Sequence, residues 1–182
     1  QAHRAAELFT GREIPKERIE EITRILENET QNIVLIGMPG CGKSKVGAIL
    51  AELTGRTLVD ADKYLQEKTG MFAGDMIKEK GEEYFRQQES LVLGELGKQS
   101  GLILATGGGC VTKMRNYDLL HQNGILIWLK RDLEQLPTDG RPLSQKNRLQ
   151  EMYTLRAPLY QAFADIVVDN NGAPEQTLTS IL

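Results

Sequence analysis

Five short apolar runs are spaced along the chain, and between them hydrophobic residues recur at helical intervals. The clearest run is 33–36 (Ile-Val-Leu-Ile), with no polar position in it, as suits a strand covered on both faces. Runs at 57–60, 102–105, 125–129 and 165–168 predict four more strands. After the first run, Val46, Ile49, Leu50 and Leu53 mark one helical face, and Gly55 is placed to end that helix. The same spacing predicts helices over 63–69, 72–80, 82–99, 114–122, 148–163 and 174–182, with Pro158 kinking or restarting its helix. Upstream, 2–9 forms a helical turn or two ended by Gly11. Pro15 then opens a helix to about residue 29, with Ile19, Ile22, Ile25 and Leu26 on its apolar face and charges on the solvated one. Strands alternating with helices predict an α/β three-layer sandwich, a five-stranded parallel sheet with helices on both faces. Residues 1–30 read as a helical extension or linker, and 31–182 as the folded domain.

The 182 residues suffice for one domain with a proper core, and 40% hydrophobic with 26% charged content is ordinary for a globular chain. A net charge of −3 argues against a nucleic-acid or membrane-surface partner. No apolar run approaches the roughly 20 residues of a membrane span, and the first residues lack a signal-peptide pattern. Cys41 and Cys110 each adjoin a glycine-rich loop and read as reduced thiols in a cytoplasmic protein. His3 and His121 are isolated, so no zinc site is expected.

Between the first strand and its helix lies Gly37-Met38-Pro39-Gly40-Cys41-Gly42-Lys43-Ser44, which fits G-x-x-x-x-G-K-S, the phosphate-binding P-loop. Gly37, Gly40 and Gly42 let backbone N–H groups turn inward around phosphate oxygens, joined by those of Cys41 and Lys45 at the positive end of the helix dipole. Lys43 supplies a point charge for the β- and γ-phosphates, and the Ser44 hydroxyl is a candidate Mg²⁺ ligand. A nucleoside triphosphate and Mg²⁺ are therefore expected.

Asp60 and Asp62 close the second strand, at the sheet edge where α/β folds bind ligands. Either could cap the next helix; beside a P-loop, one is expected in the Mg²⁺ shell and the other on an acceptor hydroxyl. Arg86 and Glu89 are helical neighbours, read as a surface ion pair by default or with Arg86 on a substrate anion. Gly107, Gly108 and Gly109 follow the third strand, where positive φ and close backbone approach would leave a row of N–H groups against a ligand. Residues 136–147, with two prolines and a glycine, predict a mobile lid carrying Arg141 toward the γ-phosphate. These features specify a P-loop kinase or NTPase without naming its acceptor.

Six motifs in order give the chain from about residue 31 onward a resemblance to shikimate kinase. They are the P-loop, Leu58-Val59-Asp60-Ala61-Asp62, Glu83-Tyr84-Phe85-Arg86-Gln87-Gln88-Glu89, Ala105-Thr106-Gly107-Gly108-Gly109, Gly140-Arg141-Pro142-Leu143 and Arg156-Ala157-Pro158-Leu159-Tyr160. The resemblance implies strand order 2-3-1-4-5 and ATP-dependent phosphorylation of the shikimate 3-hydroxyl. It places Asp60 in the outer metal shell and Asp62 on the attacking hydroxyl. Arg86 and Arg156 fall on the substrate carboxylate, the glycine triplet under the ring, and Arg141 on the transferring phosphoryl. Three departures stand out: no arginine begins the lid, the lid is short, and Lys45 stands where threonine is common. They imply altered adenine stacking, with Asn171, Gly172 and Pro174 near the base.

Residues 1–14 resemble the C-terminal end of shikimate dehydrogenase, which implies a fused parent protein; the kinase domain itself is expected to be monomeric. Two other readings stay open: a gluconate or nucleoside monophosphate kinase, and a nucleotide-binding module that no longer catalyses. Arg86 and Arg156 favour an acceptor bearing a carboxylate and the glycine triplet favours a ring packed on backbone, and the two together lean away from the first. Lys43, Asp62 and Arg141, all in place, speak against the second.

Overall fold

The computed structural model describes residues 2–136 and 143–182. Two helices, α1 (Ala2–Thr10) and α2 (Lys16–Thr30), lead into β1 (Asn32–Ile36), which feeds α3 (Lys43–Thr54). Then come β2 (Leu58–Asp60), α4 (Ala61–Thr69), α5 (Ala73–Lys80), α6 (Glu82–Leu96) and β3 (Ile103–Ala105). A 3₁₀ turn at Cys110–Thr112 precedes α7 (Arg115–His121), β4 (Gly124–Lys130) and a second 3₁₀ turn at Leu133–Gln135. The chain closes with α8 (Leu143–Phe163), β5 (Ile166–Asp169) and α9 (Pro174–Thr179).

The five strands form one parallel sheet in the order β2-β3-β1-β4-β5. β1 is central, and Val34, Leu35 and Ile36 are fully buried in it, as are Leu126 and Leu129 in β4 and Ile103 and Leu104 in β3. Each such side chain contributes about 1.5–3 kcal/mol by leaving water, so the site rests on the best-buried part of the molecule. Because all strands are parallel, every connection between them crosses over, and the loops that follow β1, β2, β3 and β4 leave the same edge of the sheet.

Three expectations change. The helix expected from residue 148 begins at Leu143, and it runs through Pro158 to Phe163 without restarting. The ring is accommodated where the carbonyl of residue 154 loses a partner; the Thr154 hydroxyl itself bonds back to the Gln150 carbonyl at 2.9 Å. The apolar face of α2 is not covered: Ile22, Ile25 and Leu26 are exposed, as are Leu8 and Phe9 of α1. Helical periodicity showed that α2 has such a face, but a pattern within one helix carries no information about what lies opposite. Among the described residues no helix is long and apolar enough to cross a membrane.

Candidate active site

The loop after β1 is built around backbone conformations that side chains rarely adopt. Gly37, Gly40 and Gly42 have φ of 143°, 77° and 101°. A Cβ on Gly37 would lie 2.7 Å from the Leu129 carbonyl oxygen and 2.9 Å from Cys41 Sγ, so the loop must be glycine where it leaves the sheet. Gly42 is the residue before α3, whose first two residues are Lys43 and Ser44. Lys43 is buried, and its Nζ donates to the carbonyls of Gly37 (2.9 Å) and Met38 (3.0 Å), inside the curve of the loop. Ser44 and Lys45 are exposed on the first turn. Cys41 is buried; burial pushes its thiol up, against the pull of the Lys43 and Arg131 charges. Cys110 is buried too and pushed up to about 12 by burial, and both thiols are free.

The two aspartates divide their duties. Asp60 is the N-cap of α4, its Oδ1 accepting from the N–H groups of Asp62 (3.1 Å) and Lys63 (3.3 Å). Its Oδ2 accepts from Ser44 Oγ at 2.8 Å. A hydroxyl and a carboxylate this close, both hard oxygen donors, suit Mg²⁺, which takes few protein ligands and keeps its waters and phosphate oxygens. Among the described residues no larger cluster of metal-ligating side chains occurs. Asp62, in the first turn of α4, has no side-chain hydrogen bond among the described residues. Burial raises its carboxyl above the usual range and the Asp60 charge adds to this, while Lys43 and Arg86 pull it down.

The Arg86–Glu89 pair is not on the surface. Both residues are buried, and Arg86 Nη1 donates to Glu89 Oε2 at 2.7 Å, with Nη2 on Glu82 at 3.2 Å. Helical spacing made them neighbours, but it could not show that α6 turns this face onto the loop after β3. Arg86 Nε and Glu89 Oε1 are buried without a hydrogen-bond partner among the described residues. Breaking a pair of this kind by removing one member costs about 3–5 kcal/mol. Burial pushes the Glu89 carboxyl up, with the Arg86 charge opposing.

The glycine triplet is required for a different reason than expected. None of its members has positive φ, and Gly107 and Gly109 are buried, so it is not an exposed row. What excludes side chains is proximity. A Cβ on Gly107 would sit 2.8 Å from Asp62 Oδ1 and 2.9 Å from Glu89 Oε1. One on Gly108 would collide with Pro39 of the P-loop, and one on Gly109 with the Arg86 guanidinium. The Gly108 carbonyl accepts from Arg156 Nη1 (3.1 Å) and from the Tyr160 hydroxyl, one turn apart on α8. Asp62, Arg86, Arg156 and the triplet therefore meet at one place, against the P-loop.

Pro174 opens α9, four residues past Asn170, whose Nδ2 donates to the Cys41 carbonyl at 2.6 Å. Asn171 Oδ1 accepts from the Asp132 N–H at 2.8 Å, so the loop after β5 is stitched to the P-loop and to the end of β4. Arg141 lies outside the described residues. Two site residues escaped the sequence reading. Glu89 was seen only as a partner, and Arg131, just past β4, was not singled out. No local pattern marks Arg131, because it reaches the P-loop only through the pairing of β4 with β1.

Comparison with known proteins gives this geometry a family. The shikimate kinase family model matches residues 39–182. A shikimate kinase of Dehalococcoides mccartyi is 41% identical over 149 residues, 78% of this chain and 85% of that protein. The solved shikimate kinase of Acinetobacter baumannii in complex with shikimate superposes with a TM-score of 0.76 at 36% identity, covering 86% of this chain and 92% of that one. A gluconokinase from Sinorhizobium meliloti, 17% identical with a TM-score of 0.53 over 85% of this chain and 91% of its own, shares the fold alone. With its strand order, P-loop and triplet in place, the chain belongs to the shikimate kinase family.

Proposed function

We propose that this chain transfers the γ-phosphoryl group of ATP to the 3-hydroxyl of shikimate, giving shikimate 3-phosphate and ADP. The observation that carries this reading is the meeting of Asp62, Arg86 and Arg156 around Gly107–Gly109, with Pro39 of the P-loop against Gly108. One small anionic ring placed on the triplet has two guanidinium groups for its carboxylate and a carboxylate for its hydroxyls.

Lys43 holds the β- and γ-phosphates from within the loop, where burial strengthens its charge. The backbone N–H groups of Gly37–Lys45 line the phosphates. Ser44 and Asp60 would hold Mg²⁺, which neutralises charge on the phosphate oxygens when bound. Asp62 accepts a hydrogen bond from the acceptor hydroxyl, orients its lone pair and takes its proton as the bond to phosphorus forms. Arg86 and Arg156 fix the carboxylate, so the ring presents one hydroxyl rather than another. Arg141 is assigned to the transferring phosphoryl and Pro174 to the base.

Residues 31–182 are assigned as a monomeric, cytoplasmic kinase domain acting on small molecules, not on nucleic acid or at a membrane. Residues 1–14 are assigned as the tail of a preceding dehydrogenase domain; a start codon directly upstream of Gln1 would overturn that. Purified protein with MgATP and either shikimate, quinate, gluconate or AMP tests the main reading. ADP release is expected with shikimate alone. Faster turnover of another acceptor, or none with shikimate, rejects it; no turnover with any acceptor would instead support a non-catalytic nucleotide module.

A further inference from the structure

Arg131 is the first residue past β4, on the opposite side of the P-loop from Asp60 and Asp62. It is partly buried, and its Nε is buried with no hydrogen-bond partner among the described residues. No carboxylate among them pairs with it, although burying an uncompensated guanidinium is costly. Its Nη1 lies 3.7 Å from where a Cβ on Gly42 would stand, beside Asn170 Nδ2 at 3.1 Å from the same point. The absent side chain at Gly42 therefore leaves room into which a cation and an amide donor both face. The charge is also close enough to oppose, weakly, the rise that burial gives the Cys41 thiol.

The direction of a bound nucleotide follows from the sheet. Asp62, Arg86 and the triplet stand over β2 and β3, so the phosphoryl group to be transferred points that way. The other end of the phosphate chain then leaves the loop toward β4 and β5, past Gly42 and Arg131. We propose that Arg131 is a nucleotide-binding residue whose guanidinium neutralises the phosphate chain at its adenosine-proximal end. This rests on the kinase reading only as far as nucleotide binding, not on the acceptor. A planar fork of donors suits phosphate oxygens, and a charge-assisted bond there is shorter and stronger than a neutral one.

The test is titration calorimetry of MgADP and of magnesium tripolyphosphate, without acceptor, on the parent, Arg131→Met and Arg131→Lys. Arg131→Met should weaken both ligands about tenfold, Arg131→Lys no more than about threefold, with shikimate binding unchanged and the unliganded melting temperature not lowered. Binding of MgADP within twofold of the parent overturns the proposal. So does failure of lysine to restore it, or a fall in melting temperature that accompanies the loss. Weakened MgADP with unaltered tripolyphosphate would place the guanidinium on the base and reject the phosphate assignment. Because no acceptor is present, a failure here is separate from failure to phosphorylate shikimate.

Discussion

The two halves of this cleft are held in contrasting ways. On the acceptor side, side chains brace one another across elements: Arg86 on Glu89, Arg156 and Tyr160 on Gly108, and Gly107 against Asp62 and Glu89. On the donor side the walls are backbone: among the described residues Lys43 bonds to two main-chain carbonyls and a cysteine sulfur, and Asn170 donates to the Cys41 carbonyl. A backbone cradle tolerates any ligand with the right oxygens, so it confers affinity for triphosphates in general. A braced set of side chains fixes charges at set distances, and so discriminates among acceptors. Chemical identity should therefore reside on one side and binding strength on the other.

The comparison can be broken most severely at the donor side. Lys43→Met should lower kcat/KM for ATP by roughly 10³-fold, while shikimate binding, read by calorimetry, stays unchanged. A parallel loss of shikimate binding would show that the halves are not separable. Next in size, Arg86→Met should cost about 3 kcal/mol in urea unfolding, because it leaves the buried Glu89 carboxylate without the guanidinium that opposes its desolvation. A loss under 1 kcal/mol would mean that the acceptor side does not depend on that brace.

Asp62→Asn should reduce kcat about 10²-fold with a smaller change in the KM for shikimate. Its stability effect has the opposite sign. The folded carboxyl titrates above its ordinary 3.8, raised by burial and the Asp60 charge. The folded state thus holds that proton more firmly than the unfolded chain, and stability from this group is lost as pH rises from 3.8 through the raised value. The variant should melt at a higher temperature than the parent at pH 7, and the gap should close below pH 3.8. A lower melting temperature at pH 7 would contradict the assigned burial. The smallest effect is expected away from both halves: Leu26→Gln on the exposed face of α2 should shift stability by no more than about 0.5 kcal/mol and leave kcat unaltered.

The donor side was largely legible in the sequence, since a P-loop is a contiguous pattern whose conformation is set by its own glycines. The five parallel strands were legible too, and the observed order agrees with the one implied by family resemblance. The acceptor side was legible as residues but not as contacts. Gly107–Gly109 are needed for the atoms across from them rather than for their own φ, and those atoms come from α4, α6, the P-loop and α8. The burial of Arg86–Glu89 was missed for the same reason, and so was Arg131. Local spacing reports which side chains share a face; only tertiary packing decides what that face meets.

Asp60 is where the two halves are fastened together, one oxygen on Ser44 and the other on the first turn of α4. For protein engineering this defines a joint. A different acceptor pocket could be grafted along α6, provided that Gly108 is kept where it packs on Pro39 of the triphosphate loop. A carboxylate at 60 would have to be retained, because a single amide there can accept at one position only. Redesign of substrate choice in this scaffold thus has two fixed points, the carboxylate at 60 and the close contact of Gly108 with Pro39.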